Sequence, residues 1–384
     1  MNFVLKYLAF IFLLNNILFG VVGYYQIANI MFLAIMTFTF ICSIYSLKIL
    51  KDVVFNKSFQ LFFLLNLLNI VYYLFLEFGD LESFKYLVAR FIQFSIFSIS
   101  VYLLKDNFVS TLLFFLKYIT IGCLIISIVF NFPDLTSRYQ GIFQNPNEFS
   151  ILMVIGFAYI LLVEKRNIYN YILLILFLYG IVLSGSRSAI LGVFMAVFVY
   201  LFHHKSNNLI NTILILSSLL LFSFFGGQNN AVQRIFEFDL INRKYEYLYA
   251  LETFLQKPIF GYGLKNYAHI DFSLIQFDDV KIDFGAHNAY LSILVQYGAF
   301  FSIIFFSIFI YFIVKIYKTK LDIFNENILK VKYLLFVVSY TLVNGLFENT
   351  IIGINFFQTN LFWLIICYLT CVIYQKNESR SISN

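Results

Sequence analysis

The chain is a series of long apolar runs separated by short polar segments. Hydrophobic residues make up 61% of its 384 positions, and a helix needs roughly 20 apolar residues to cross about 30 Å of hydrocarbon. The pattern therefore predicts an all-α polytopic membrane protein with about twelve transmembrane helices in one integral membrane domain, residues 1–384. The predicted spans are 3–21, 27–47, 59–78, 86–104, 109–130, 148–163, 168–184, 188–202, 208–225, 287–315, 331–349 and 355–374.

One apolar stretch, residues 168–202, carries the sequence VLSGSRSAILG with Arg187 near its middle. As a single helix it would reach about 52 Å at 1.5 Å per residue, which is too long for a bilayer even with generous tilt. Serine and glycine favour turns. The stretch is therefore predicted to be two short helices joined at SGSRS, with Arg187 on the tip.

The basic residues predict the sidedness of the spans. One set of alternate segments holds most of them, whereas the other set, outside one long loop, holds only Lys85, Arg90, Arg138 and Arg187. Short cytoplasmic loops are enriched in lysine and arginine. Both termini are therefore predicted to be cytoplasmic, and Arg187 and the long loop to face the periplasm or the exterior.

The long outer segment, residues 226–286, lies between the ninth and tenth predicted spans. Within it, residues 243–257 space apolar side chains three or four apart, which predicts a short amphipathic helix. Such a helix either lies on the membrane surface or packs against the outer ends of the spans. The sequence leaves both arrangements open.

Composition supports the membrane class and narrows the chemistry. Only 12% of the residues are charged, against about 25% in soluble domains. In such a chain the net charge of +6 reflects how lysine and arginine are distributed among the loops. It therefore does not indicate a nucleic acid partner. The four cysteines all lie in apolar runs without a C-x-x-C pair, which is typical of small buried residues.

Three arginines on the predicted outer side are candidate ligands for an anionic substrate. Arg138 and Arg187 run against the local charge bias, and Arg243 begins the predicted amphipathic helix. Arginine binds phosphate oxygens through two parallel hydrogen bonds and stays charged. For Arg138 and Arg187 the alternative is an interfacial side chain that reaches the lipid headgroups.

The remaining candidates also lie at predicted outer ends of spans. Asn145 and Asn147 flank Pro146 before the sixth span, where Asn147 could simply cap the helix. His287 and Asn288 precede the tenth span, and Asn288 could also be a cap.

Glu348 lies near the outer end of the eleventh span. An ionisable residue in such a place is a functional candidate by default, or it could pair with one of the arginines. A neutral histidine can take a proton from a hydroxyl. Arginines, a histidine and a glutamate at one face would suit a diphosphate whose lipid tail stays in the bilayer. Nothing in this pattern calls for a metal ion or a cofactor.

At these residues the sequence resembles a known family. SRYQGIFQNPNEFS, LSGSRSAILG, the PIFGYGLKNY stretch and AHNAYLSILVQYG, in this order over about residues 136–300, are similar to the O-antigen ligase and polymerase superfamily. Its members are bacterial polytopic glycosyltransferases of the inner membrane that use undecaprenyl-diphosphate-linked glycans. The regular R-x10-G repeat of some polymerases is absent here.

The resemblance implies roles for individual residues. Arg138, Arg187 and Arg243 would hold the donor diphosphate, and His287 would activate the acceptor hydroxyl, with Glu348 as a second catalytic candidate. The side chains of Asn145, Asn147, Asn288 and Tyr290 would bind acceptor or sugar, and Gly261 and Gly263 match a turn of the family's outer loop. The implied reaction is metal-independent inverting transfer.

The resemblance leaves the acceptor open. The GIFQNPN form favours a polymerase of O-antigen, capsule or exopolysaccharide repeat units, which would work with membrane lipids and a chain-length regulator. The alternative is an O-antigen ligase that transfers the glycan to lipid A core or protein. A twelve-span transporter of lipid-linked oligosaccharide is the alternative of another class, although neither an internal repeat nor a midplane cluster of charges supports it.

Overall fold

The fold is described from a computed structural model that covers residues 2–45, 47–133, 137–203, 240–271, 273–274, 287–324, 326 and 328–383. The predicted ninth span, 208–225, and part of the long loop lie outside these ranges. Within them the chain forms thirteen α-helices and no strand, only an isolated bridge between Val21 and Phe143. The helices are α1 Asn2–Gly20, α2 Tyr25–Tyr45, α3 Leu47–Val54, α4 Gln60–Leu76, α5 Leu81–Leu104, α6 Phe108–Phe130, α7 Pro146–Leu162, α8 Ile168–Ser184, α9 Arg187–His203, α10 Leu240–Gln256, α11 Ala289–Lys318, α12 Ile328–Asn344 and α13 Phe357–Ser383.

The helices are long and apolar enough for a multi-pass membrane protein. Six helical stretches among the described residues meet the length and hydropathy of a membrane span, and three shorter apolar helices, α7, α8 and α9, lie beside them. The all-helical polytopic class is thus supported. The number of twelve spans and their sidedness stay predictions.

The C-terminal helix α13 is the centre of the bundle. Its apolar part, Phe357–Lys376, is almost completely buried within the protein. Trp363 on this helix packs edge-on against Phe62 of α4, Phe94 of α5 and Phe309 of α11. Helices from both halves of the chain therefore share one core.

The stretch 168–202 forms two helices, as predicted. Helix α8 ends at Ser184, Gly185 adopts a left-handed conformation with φ of 63°, and α9 begins at Arg187. Glycine is the usual residue at this position after a helix because it has no Cβ to oppose a positive φ. The turn places Arg187 at the tip of a helical hairpin.

Helix α11 contains a break that the sequence did not predict. Gly298 has φ of 68° and ψ of 175°, so the helix starts anew after it. The amide of Tyr262 donates to the Val295 carbonyl at 2.9 Å, and the amide of Ala299 donates to the Pro258 carbonyl at 2.7 Å. The loop segment between Pro258 and Tyr262 thereby satisfies backbone groups that the break would leave unpaired.

We expect Gly298→Ala to destabilise the protein. A Cβ at this position would lie 2.4 Å from the Gly261 nitrogen and 2.4 Å from the Ile259 oxygen, and the backbone conformation alone costs about 1–3 kcal/mol for a residue other than glycine. The thermal unfolding midpoint of the detergent-purified protein measures the effect. Gly122→Ala in α6 is the matched control, because a Cβ there meets nothing within 4 Å. Equal midpoints for the two variants would contradict the broken geometry.

The amphipathic segment packs on the protein. Helix α10 buries Tyr249 and Ala250 against Ile270 of the loop that follows it. The Tyr247 hydroxyl donates to the Leu346 carbonyl at 2.6 Å. Of the two arrangements left open by the sequence, the structure shows packing against other elements of the protein, and the side of the membrane on which they lie stays a prediction.

The loop after α10 is also tied to the turn between α4 and α5. The Leu264 amide donates to Glu77 at 3.0 Å, and Lys265 lies 3.0 Å from Asp80. A hydrogen bond from Ser83 and the ammonium group of Lys265 lower the pKa of Asp80 to about 2. The Asp80–Lys265 contact is therefore ionised throughout the physiological pH range.

Single cysteines can test the predicted sidedness, because the four native cysteines are buried and free. Glu82 has a side chain that is 59% exposed at the predicted outer start of α5, and Lys165 is exposed at the predicted inner end of α7. We expect Glu82→Cys to react with an impermeant maleimide on intact cells, and Lys165→Cys to react only after permeabilisation. The reverse pattern would overturn the orientation.

Candidate active site

The start of α7 contributes the first polar side chains of the site. Asn145 is the residue before the helix, and its side-chain oxygen accepts from the Asn147 amide at 2.8 Å. Pro146 takes the first helical position, where its missing N–H costs nothing. The expectation that Asn147 caps this helix is therefore wrong, since Asn145 is the cap and the Asn147 side chain is used elsewhere.

Arg138 connects the start of α7 to the tip of the α8–α9 hairpin. Its Nε donates to the Ser184 carbonyl at 2.8 Å, and its Nη2 donates to Asn147 Oδ1 at 2.8 Å. The next amide, of Tyr139, donates to the Leu183 carbonyl at 2.9 Å. Arg138 is thus oriented by two hydrogen bonds beside the turn that carries Arg187.

Asn147 carries the network on to Glu348. Its Nδ2 donates to Glu348 Oε1 at 2.8 Å. Glu348 lies just beyond the end of α12, where its amide donates to the Asn344 carbonyl at 2.9 Å. The side-chain amide group of Asn147 therefore accepts a hydrogen bond from Arg138 and donates one to the Glu348 carboxylate.

His287 ends this chain of hydrogen bonds. Its Nδ1 lies 3.2 Å from Glu348 Oε2, with the histidine side chain 24% exposed. Its φ is 37°, in a region that residues with a Cβ rarely adopt and that is often found at functional sites. The following Asn288 caps α11 by accepting from the amides of Tyr290 and Leu291.

The contact between His287 and Glu348 suits a general base. When Nδ1 donates its proton to the carboxylate, the lone pair lies on Nε2, and the carboxylate stabilises the imidazolium that forms after proton uptake. The partly exposed ring can meet a substrate hydroxyl. The geometry therefore provides a histidine oriented by an acid, with arginines on neighbouring elements.

Two of the other candidates are used in backbone contacts. The Asn288 side chain caps α11, as the sequence allowed, and the Tyr290 hydroxyl donates to the Leu342 carbonyl at 2.7 Å. Arg187 is partly buried at the start of α9. The Arg243 side chain lies outside the described part of the chain. The structure thus brings Arg138, Asn147, Glu348 and His287 together and places Arg187 near the same turn.

Arg90, which sequence analysis did not single out as a site residue, binds the segment that carries Glu348. Arg90 in α5 is 2% exposed, donates to Gln93 Oε1 at 2.7 Å and the Tyr86 hydroxyl at 2.8 Å, and also to the Ile352 carbonyl. Ile352 belongs to the segment between α12 and α13 that carries Glu348. The spacing of Tyr86, Arg90 and Gln93, which share one helix face, is the signal that could have identified it.

We expect Glu348→Gln to reduce activity by about two to four orders of magnitude. A glutamine offers one acceptor oxygen to two donors, Asn147 Nδ2 and His287 Nδ1. If that oxygen faces Asn147, the glutamine Nε2 group donates to Nδ1 and holds the histidine in the wrong tautomer. The rate of glycan extension in isolated membranes measures this loss. Glu348→Asp, which keeps the charge, should retain more activity than Glu348→Gln. Equal rates for Glu348→Gln and the unmodified protein would show that the Glu348 carboxylate takes no part in the reaction.

Comparison with known proteins gives a match over the middle of the chain. Residues 172–306 match a family model described as O-Antigen ligase, a region that includes the α8–α9 hairpin, α10, His287 and the first part of α11. The resemblance to the O-antigen ligase and polymerase superfamily is therefore confirmed over this region. A comparison with curated proteins gives no match.

Proposed function

Since this chain is similar to the O-antigen ligase family over residues 172–306, we propose that it is a polysaccharide polymerase. It would join undecaprenyl-diphosphate-linked repeat units at the outer face of the bacterial inner membrane. The observation that carries the proposal is the continuous chain of hydrogen bonds from Arg138 through Asn147 and Glu348 to His287. It connects a phosphate-binding type of side chain to an oriented base.

The proposed reaction is an inverting glycosyl transfer. His287 Nε2 takes the proton of an acceptor hydroxyl, and the oxygen of that hydroxyl attacks the donor sugar carbon that bears the diphosphate. The bond from this carbon to the diphosphate oxygen breaks, and undecaprenyl diphosphate leaves with the electron pair. Arg138 and Arg187 would stabilise the charge that develops on the leaving group, and Glu348 would stabilise the imidazolium.

A ligase is the second candidate. The matching family model is described as O-Antigen ligase, and a ligase would use the same donor and the same chemistry. Its acceptor would be lipid A core or a protein in place of another lipid-linked unit. The preference for a polymerase depends on the GIFQNPN form of the segment before α7.

Deletion of the gene with glycan profiling separates these functions. Acceptors that carry single repeat units would indicate a lost polymerase, whereas long lipid-linked chains that accumulate would indicate a lost ligase. Complementation with the His287→Ala variant should reproduce the deletion profile. An unchanged glycan profile in the deletion strain would overturn both functions. Lipid-linked units trapped on the inner side of the membrane would indicate a transporter.

A further inference from the structure

A cavity lies beside the proposed active site, on the side of α1. It has a volume of about 220 Å³ and is formed by the C-terminal end of α1, the first turns of α7 and the segment 350–358. The strand-like contact between Val21 and Phe143, and the hydrogen bond from the Gln144 amide to the Gly20 carbonyl at 2.8 Å, join two of its walls.

The cavity wall includes a buried acceptor without a partner. Asn16 is 3% exposed, and its Nδ2 donates to the Phe12 carbonyl at 2.6 Å. Its Oδ1 is buried and has no hydrogen-bond partner among the described residues. An unsatisfied buried acceptor costs about 1–3 kcal/mol, so the Asn16 side chain would gain by turning toward a ligand that donates a hydrogen bond in this cavity.

Glu148 at the start of α7 supplies a second acceptor. It lines the cavity directly after Asn147, and a Cβ placed on Gly20 would lie 2.3 Å from Glu148 Oε2. Glycine at position 20 therefore makes room for this carboxylate at the end of α1. The acceptors Asn16 Oδ1 and Glu148 suit a ligand that carries several hydroxyl groups, because each hydroxyl can donate one hydrogen bond.

The rest of the lining fits the apolar face of a sugar ring. Phe143 and Phe356 contribute aromatic surface among aliphatic side chains, and ligand cavities commonly combine such a lining with a few placed polar groups.

We propose that this cavity is the subsite for the terminal sugar of the acceptor glycan, with Glu148 and Asn16 accepting hydrogen bonds from its hydroxyls. The proposal rests on the proposed glycosyl transfer and assigns the acceptor to the α1 side of the site. Thr350, two residues after Glu348, lies on the cavity wall. A sugar held there lies next to the network that contains the base.

Steady-state kinetics of the purified full-length protein test the proposal, with the donor and acceptor concentrations varied separately. Glu148→Gln should raise the acceptor KM about tenfold, as expected for a lost buried hydrogen bond, and leave the donor KM unchanged. Gly20→Ala keeps every polar group and displaces the Glu148 carboxylate, so it should also raise the acceptor KM. Gly122→Ala, whose Cβ meets nothing within 4 Å, should change neither constant.

Direct binding separates this proposal from the transfer reaction itself. The probe is the oligosaccharide repeat unit released from the polysaccharide of the host, titrated against unmodified protein, Glu148→Gln and Gly20→Ala. Weaker binding to both variants supports the subsite even if no transfer is detected. If both variants are active and have the acceptor KM and the probe affinity of the unmodified protein, the subsite is overturned and the proposed function stands. A raised donor KM, or a reduced kcat with unchanged KM, would also overturn it.

Discussion

His287→Ala should abolish glycan chain extension while the protein stays in the membrane at its normal level. A general base contributes about 10²- to 10⁴-fold to the rate, and alanine removes both the base and the contact with Glu348 at 3.2 Å. The chain-length distribution on a gel and the initial rate of extension in membranes measure the loss.

The control for this experiment is another histidine of the outer loop. His269 packs beside Tyr262, with 5.0 Å between ring centroids, and it takes no part in the hydrogen bonds that connect Arg138, Asn147, Glu348 and His287. His269→Ala should therefore leave chain length unchanged. Long chains that persist in His287→Ala at normal protein levels would show that His287 is not the base.

Arg187→Lys is expected to lower activity about a hundredfold although it keeps the positive charge. Lysine lacks the planar pair of donors that binds two phosphate oxygens at once, and Arg187 begins α9 at the turn to which Arg138 is bonded. The donor KM and the rate of transfer, measured with lipid-linked substrate, report this change.

Arg166→Lys provides a matched control at the predicted inner end of the same helices. The Arg166 guanidinium lies 5.1 Å from the centre of the Tyr200 ring, and we assign it no role in transfer. Arg166→Lys should leave the rate unchanged. Unchanged activity in Arg187→Lys would instead show that Arg187 contacts lipid headgroups or stabilises the start of the helix.

The helices were predictable because lipid imposes a simple rule on length and polarity. Helix α8 occupies 168–184, as predicted, and the length argument correctly divided the stretch at SGSRS. The break in α11 was not predictable in the same way. Gly298 lies within a continuous apolar run, and its conformation depends on hydrogen bonds with the Pro258–Tyr262 segment, about forty residues earlier in the chain.

The site was predicted as a set of residues, but not as a set of contacts. Asn147 and Glu348 are 201 positions apart, and His287 and Glu348 are 61 apart, so no local pattern could pair them. The identity of the residue that caps α7, by contrast, depends only on neighbouring residues and could have been predicted from the sequence. Because proline favours the first position of a helix, Pro146 makes Asn145 the cap and leaves Asn147 for the site.

Arg90 shows a different limit of sequence analysis. It was counted among the outer charges because it lies near the predicted start of a span, although the structure buries it. Its three hydrogen-bond partners include the Ile352 carbonyl of a distant segment. Charge counting assumes that basic residues near span ends are solvated, and a buried arginine with polar neighbours breaks that assumption.

The break at Gly298 also bears on how this part of the chain enters the membrane during synthesis. The twenty residues after it, 299–318, form a helix about 30 Å long, which alone matches the hydrocarbon thickness. The nine residues before it add about 14 Å on the side of His287. With the predicted sidedness, the insertion machinery could accept the second part as a complete stop-transfer signal, and the part next to the proposed base would fold against the loop on the outer side.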